Sequence, residues 1–222
     1  MPNVFQRSAW GPLRVFMSLF CSLEIRGVEN VKKIKGNMLV ASNHSSELDP
    51  LLIVACLPFF SRHLPLFFTS REKNFYAAMG WKRIIYGGTF FRMMGSYQVY
   101  VGLKNYALSL RHHLKFINEG KNICIFPSGK ITLRGERVKA KGGISFLARE
   151  PHLPIMPVLI QGLERLTISD SLRGKRKVTV TFGKPLYSKD IFQDAQRVII
   201  DDSRNDYEKA AAVLMDKIFQ LA

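Results

Sequence analysis

The stretch Asn37-Met38-Leu39-Val40-Ala41-Ser42-Asn43-His44-Ser45-Ser46-Glu47-Leu48-Asp49-Pro50 carries the decisive reading of the fold. Asn37 to Ser42 is a short apolar run of the kind that forms a strand buried on both faces. It breaks into polar residues, and Asp49-Pro50 then offers an N-cap with proline at the first helical position. Strand, loop and helix start, in that order, open an α/β unit. Leu64 to Thr69, Ser96 to Val101, Asn122 to Phe126, Ile155 to Ile160 and Val178 to Phe182 read as further short strands. Helical spacing appears at Leu103, Ala107, Leu110, Leu114 and Ile117, ending at Glu119-Gly120, and again at Tyr207, Ala211, Leu214, Ile218 and Leu221. Strands alternating with helices over 222 residues predict a single layered α/β domain with a mixed, largely parallel sheet flanked by helices. Residues 1–35 read as a short amphipathic, membrane-associating helical segment ahead of it, and residues 36–222 as the domain itself.

A hydrophobic content of 47% with 11% aromatic residues excludes a disordered chain. Thirty-three Lys and Arg against 17 Asp and Glu give a net charge of +16, a field that attracts nucleic acid, an anionic membrane surface, or acidic carriers and nucleotide phosphates. From Asp190 onward seven acids face four bases, so the positive charge lies in the body of the domain and not in a basic tail. Between Glu72 and Glu119 there is no acidic residue, while Lys73, Lys82, Arg83, Arg92, Lys104, Arg111 and Lys115 fall there. Cys21, Cys56 and Cys124 stand far apart and make no disulfide framework. Arg7 and Arg14 interrupt the first apolar stretch, so neither a secretory leader nor a spanning helix is expected there. Leu57 to Phe68 and Ile84 to Gly95 are short, Phe-rich and set beside bases, which suits a chain lying on a bilayer; filling a core is the alternative reading.

In α/β folds sites gather at the carboxyl ends of strands. His44 stands just past one, and Asp49 follows five residues later as a helix begins. A carboxylate in reach of an imidazole fixes its tautomer and offsets the charge of the protonated ring, so the other nitrogen can take a proton from a hydroxyl. Asp49 as a plain N-cap remains the alternative. Other residues carry less chemistry. His112-His113 reads as a solvated or partly covered helical face without the further ligands a metal needs, and Cys124 as a small buried hydrophobe. Gly129-Lys130-x-Thr132 is no nucleotide loop, because Cys124 stands where that motif needs its first glycine. No metal or resident cofactor is expected.

Asn43-His44-x4-Asp49 resembles the first block of the glycerolipid acyltransferases of the lysophosphatidate acyltransferase type. Phe126-Pro127-Ser128-Gly129-Lys130 is similar to the third block of that family, Phe-Pro-Glu-Gly-Thr-Arg. Leu153-Pro154-Ile155-Met156-Pro157-Val158 looks like the fourth, and Lys141-Gly142-Gly143-Ile144 like the approach to the helix between them. The ordered blocks cover roughly residues 36–186. The resemblance implies an acyltransferase domain over 36–222, with His44 as general base and Asp49 orienting it. It implies acceptor or phosphate contacts at Ser128, Gly129, Lys130, Thr132 and Arg134, and structural roles for Asn43, Phe126, Pro127, Pro154 and Pro157. Acyl-CoA or acyl carrier protein would be the co-substrate and a lysophospholipid such as 1-acylglycerol-3-phosphate the acceptor.

The departures from the family bear on the acceptor. Val101 falls where the second block usually ends in Arg, Ser128 replaces the Glu of the third block, and Lys130-Ile131-Thr132 replaces Thr-Arg-Ser. Gly129-Lys130-Ile131-Thr132 is closer to the acyltransferase half of bacterial 2-acylglycerophosphoethanolamine acyltransferase, which implies a head-grouped acceptor such as lysophosphatidylethanolamine as the alternative. A non-catalytic basic nucleic-acid-binding domain is the reading from another class, but no helix-turn-helix, zinc or RNA-binding signature accompanies the charge, so nucleic acid is not expected as a partner. The expected location is peripheral or monotopic, on the cytoplasmic face of an anionic membrane.

Overall fold

The computed structural model describes residues 1–71, 89–103, 105–132, 138–149, 152–164, 176–197 and 204–222. Its centre is a seven-stranded sheet in the order β1-β7-β6-β2-β5-β3-β4. The strands are β1 (Cys21–Arg26), β2 (Leu39–Ser42), β3 (Leu66–Ser70), β4 (Ser96–Gln98), β5 (Asn122–Ile125), β6 (Ile155–Gln161) and β7 (Arg176–Phe182). Neighbours run parallel except β6 and β7, so the sheet is mixed and mostly parallel, as the alternation of strands and helices predicts. The helices are α1 (Pro2–Phe20), α2 (Asp49–Cys56), α3 (Thr89–Met93), α4 (Tyr106–Ser109), α5 (Arg111–Asn118), α6 (Gly143–Arg149), α7 (Ser188–Arg197) and α8 (Asp206–Phe219).

The central strands read as continuous apolar runs because both of their faces are covered. Val40 and Cys124 point with Met156, Val158, Val178 and Val180 into one core, closed by Met17 of α1 and Leu52 and Ile53 of α2. Leu39, Ala41, Ile123 and Ile125 point the other way, onto Ile144 and Leu147 of α6 and Ala211 and Leu214 of α8. The period of two in a strand assigns its residues alternately to the two cores. Pro157 sits in a central strand, where a missing N–H is normally harmful. It is tolerated because the ladder between β6 and β7 begins one residue later, at Val158↔Phe182, and only the Pro157 carbonyl is needed beyond it, accepting from Gly183 N at 2.8 Å.

Four features differ from the sequence reading. Cys21–Arg26 is an edge strand paired in parallel with β7, where the periodicity predicts no strand before Asn37. The single helix expected from Leu103 to Ile117 is two, broken at Leu110, whose φ of −110° and ψ of 17° lie outside the helical region. His113 is fully buried in place of lying on a solvated face. The strand expected over Ser96 to Val101 pairs only through Gln98.

The α1 helix is fastened to the domain by polar side chains. Gln6 is fully buried; its amide donates to Leu66 O at 2.6 Å and Met94 O at 2.8 Å and accepts from Leu66 N at 2.9 Å. Arg7 donates to the carbonyl of Phe59, and Trp10 Nε1 donates to Leu57 O at 2.8 Å. Val4, Val15, Phe16 and Leu19 remain exposed on its outer side. Among the described residues no helix is long and apolar enough to cross a membrane.

Burial pushes the imidazole pKa of His113 down to about 4 from 6.5, against a weaker opposing contact to Phe68 O. Below pH 6.5 the unfolded chain binds a proton that the folded chain refuses, so stability falls as pH drops toward 4. Acidification from pH 7.5 to 5 is expected to cost about 2 kcal/mol through this residue. Urea unfolding of His113→Gln and wild type at both values checks it: the wild type should lose about that much more stability than the variant.

Candidate functional site

Three adjacent parallel strands deliver the site from their carboxyl ends, β2 with His44, β5 with Phe126 to Lys130, and β3 with Arg71. As β2 leaves the sheet, the Asn43 side chain takes over the ladder. Its amide donates to Ile160 O and accepts from Ile160 N, both at 2.8 Å, and is itself buried. The main chain is thereby free to turn into the loop that carries His44.

The loop closes on Asp49. His44 Nδ1 lies 2.8 Å from Asp49 Oδ2, an oxygen that also accepts from Ser45 N at 2.6 Å and Ser46 N at 2.9 Å. Ser45 Oγ donates to Asp49 Oδ1 at 3.3 Å. The Asp49 side chain has no solvent exposure and the His44 ring 19%. A carboxylate accepting two amide hydrogens takes the hydrogen on Nδ1 as well, which leaves Nε2 with its lone pair on a ring that borders solvent. Asp49 begins α2 as expected, yet its carboxylate bonds backward into the loop and the helix has no side-chain cap. The pairing with His44 and the helix start are thus compatible here, and the amides of Ser45, Ser46, Leu48 and Asp49 are all bonded within the loop.

The Phe126 ring stacks on His44 with centroids 4.2 Å apart and planes 20° from parallel, fixing the imidazole from the β5 side. After Phe126 the chain turns tightly, with Gly129 N donating to Phe126 O at 2.9 Å. Gly129 has a φ of +65°, and a Cβ there would stand 3.1 Å from Lys141 Nζ, so glycine supplies both the left-handed turn and the room for that lysine. Pro127 O accepts from Lys141 N at 2.9 Å. Ser128 Oγ donates to Lys130 O at 2.8 Å, and Thr132 donates to His44 O from its amide at 2.7 Å and its hydroxyl at 3.1 Å. Thr132 therefore holds the two loops together, Ser128 braces the turn of its own loop, and these two buried residues do not line the cleft. Arg134 lies outside the described residues.

His44 borders a mainly apolar cleft of about 420 Å³. Phe68, Met94, Leu110, Ile125 and Ile144 form its walls, while Arg71, Lys130 and Lys141 bring cations to its lining. Val101, at the position where the family has Arg, also faces it. The sequence reading did not single out Arg71 or give Lys141 a role in binding. Arg71 stands just beyond β3, where the strand-end rule points, and donates from Nη2 to Gly129 O at 3.1 Å. Lys141 reaches the site only through the fold over Gly129. Burial raises the thiol of Cys124, and that of Cys56 to about 12, so both stay protonated.

A family model described as Acyltransferase matches residues 22–161. Over 157 residues the chain is 29% identical to a probable 1-acyl-sn-glycerol-3-phosphate acyltransferase of Mycoplasma pneumoniae, with 66% of this chain and 53% of that protein aligned. The chain thus spans about half the length of that curated relative. The crystal structure of the 1-acyl-sn-glycerophosphate acyltransferase PlsC from Thermotoga maritima is similar at a TM-score of 0.58 and 18% identity, covering 99% of this chain and 79% of that one, and shows the shared fold.

Replacing Asn43 by Ala leaves both the amide and the carbonyl of Ile160 without their buried partner. A loss of about 2–4 kcal/mol is expected in urea unfolding, together with weaker protection of the Ile160 amide in hydrogen exchange.

Proposed function

The chain belongs to the acyltransferase family, and we propose that it moves a fatty acyl group from a thioester donor to the free hydroxyl of a lysophospholipid such as 1-acylglycerol-3-phosphate. The observation that carries this reading is the His44–Asp49 pair at 2.8 Å on the edge of an apolar cleft with three cations in its lining. The acceptor hydroxyl gives its proton to His44 Nε2 as its oxygen attacks the thioester carbonyl, and Asp49 offsets the charge of the imidazolium through Nδ1–H. The tetrahedral intermediate collapses, the carbon–sulfur bond breaks, and the thiolate takes the proton back from Nε2. The products are an ester and a free thiol, and no acyl-enzyme forms. Acyl-CoA and acyl carrier protein both supply such a thioester.

Apolar walls suit acyl chains, and Lys130 beside Arg71 and Lys141 suits the phosphate of the acceptor. Val101 in the cleft wall favours a second reading, in which a head-grouped lysophospholipid such as lysophosphatidylethanolamine is the acceptor, because a phosphodiester carries less charge than a phosphomonoester. Exposed Val4, Val15, Phe16 and Leu19 on α1, with Phe60 at 88% exposure, support an enzyme that lies on an anionic membrane surface without spanning it. Arg7 and Trp10 contribute through hydrogen bonds inside the domain. Part of the Phe-rich stretch from Ile84 to Gly95 lies outside the described residues.

His44→Ala is expected to lower kcat about 10²–10⁴-fold in a variant that still folds, since a general base contributes on that scale, with a loss of about 1–3 kcal/mol of stability because the buried Asp49 carboxylate loses one donor. Undiminished turnover of a labelled acyl thioester by the folded variant would overturn the reading. Lys130→Ala should raise KM for a phosphorylated acceptor about tenfold while leaving the thioester KM in place; equal changes in both would remove Lys130 from the phosphate site.

A further inference from the structure

On the far side of the cleft wall from the active site, three elements build one contiguous cationic and aromatic face. Arg92 of α3 lies 6.0 Å from the Tyr97 ring of β4, and Tyr97 lies 6.3 Å from His112 of α5. The His112 ring is 5.8 Å from Tyr100, with Nε2 3.2 Å from its hydroxyl. Arg111 caps the row, its guanidinium 4.0 Å over the Tyr100 ring and donating to the same hydroxyl. Lys115 follows one turn along α5, and Arg92, Arg111 and Lys115 are all exposed.

The face has little anionic compensation among the described residues. Among the described residues no carboxylate forms an ion pair with Arg92, Arg111 or Lys115, and Glu119, at the end of the helix, is engaged by Lys121. Burial and then the charges of Arg111, Arg92 and Lys115 depress the His112 imidazole, so three positive charges act on one ring. Rings and guanidinium stacking hold them in place although like charges repel. An arrangement of this kind is stabilised when an external anion arrives.

We propose that this face docks an acidic acyl carrier protein and so names the donor for the cleft, an inference that rests on the acyl-transfer reading above. Its position favours a protein over a free nucleotide. Val99 and Val101 line the cleft, whereas Tyr100 between them packs on Arg111 and His112. A body seated on the face therefore stays outside the cleft and sends in only its thioester arm. Arg111 and Lys115, about 6 Å apart along the helix axis, present an outward strip that an acidic helix can follow, where a nucleotide would need a concave cradle.

The test compares two donors with the same acyl chain, acyl carrier protein and CoA, using wild type and Arg111→Glu/Lys115→Glu, with Arg111→Lys as a charge-keeping control. The double variant is expected to raise KM for the acyl carrier protein at least tenfold with kcat unchanged, to flatten the salt dependence of that KM, and to stay within twofold of wild type on acyl-CoA. The control should behave as wild type on both. Equal losses on both donors, no change on the carrier, or refusal of the carrier by a wild type that uses acyl-CoA would each overturn the docking proposal and leave the acyl-transfer reading standing. If wild type consumes neither thioester, that reading fails. Surface binding of the holo-carrier then decides docking, retention by wild type with loss in the double variant supporting it and equal binding overturning it.

Discussion

A carboxylate with no contact to water must find its hydrogen-bond donors inside the protein, and Asp49 finds them in its own loop. The amides of Ser45 and Ser46, the Ser45 hydroxyl and the imidazole of His44 converge on its two oxygens. Because the donors are consecutive residues, meeting the demand of one buried charge fixes the whole turn between β2 and α2. The orientation of His44 follows from the same bonds. Asn43 anchors the turn at its start against β6, Thr132 grips the His44 carbonyl, and Phe126 covers the ring. Removing the carboxylate would release the loop as well as the imidazole of His44.

This dependence explains why the site needs a sheet of this order. His44 and Phe126 come from β2 and β5, which are hydrogen-bonded neighbours in space although some eighty residues apart in sequence, and Arg71 comes from β3 on the other side of β5. Parallel pairing brings all three carboxyl ends to one edge. The two cores on opposite faces of the sheet hold that edge rigid, so the imidazole, the cations and the apolar cleft stay in register.

Much of this was legible in the sequence where a local pattern carries a local consequence. Continuous apolar runs such as Leu39 to Ser42 marked the buried strands, and the spacing of His44 and Asp49 marked their hydrogen bond. The edge strand Cys21–Arg26 alternates apolar and polar residues, a signal that was present but merged with the apolar end of α1. The break at Leu110 was not visible, because Leu114 and Ile117 continue the same helical spacing beyond it. Arg71 and Lys141 belong to the site only through tertiary structure. One lies just past a strand in a stretch crowded with charges, and the other enters because Gly129 has no side chain to exclude it. His113 sits beside Arg111 and His112 in sequence, and only the packing of α5 onto the sheet buries it.

The central claim is that the His44 edge of the cleft joins a thioester acyl group to a lysophospholipid hydroxyl. The most direct measurement offers a labelled acyl thioester with 1-acylglycerol-3-phosphate, lysophosphatidylethanolamine and a monoacylglycerol without phosphate, and follows the label into ester and the release of free thiol. New ester is expected on a phosphate-bearing acceptor, stoichiometric with thiol, and little on the monoacylglycerol. Thioester left intact with every acceptor, or equal transfer to the lipid without phosphate, would contradict it.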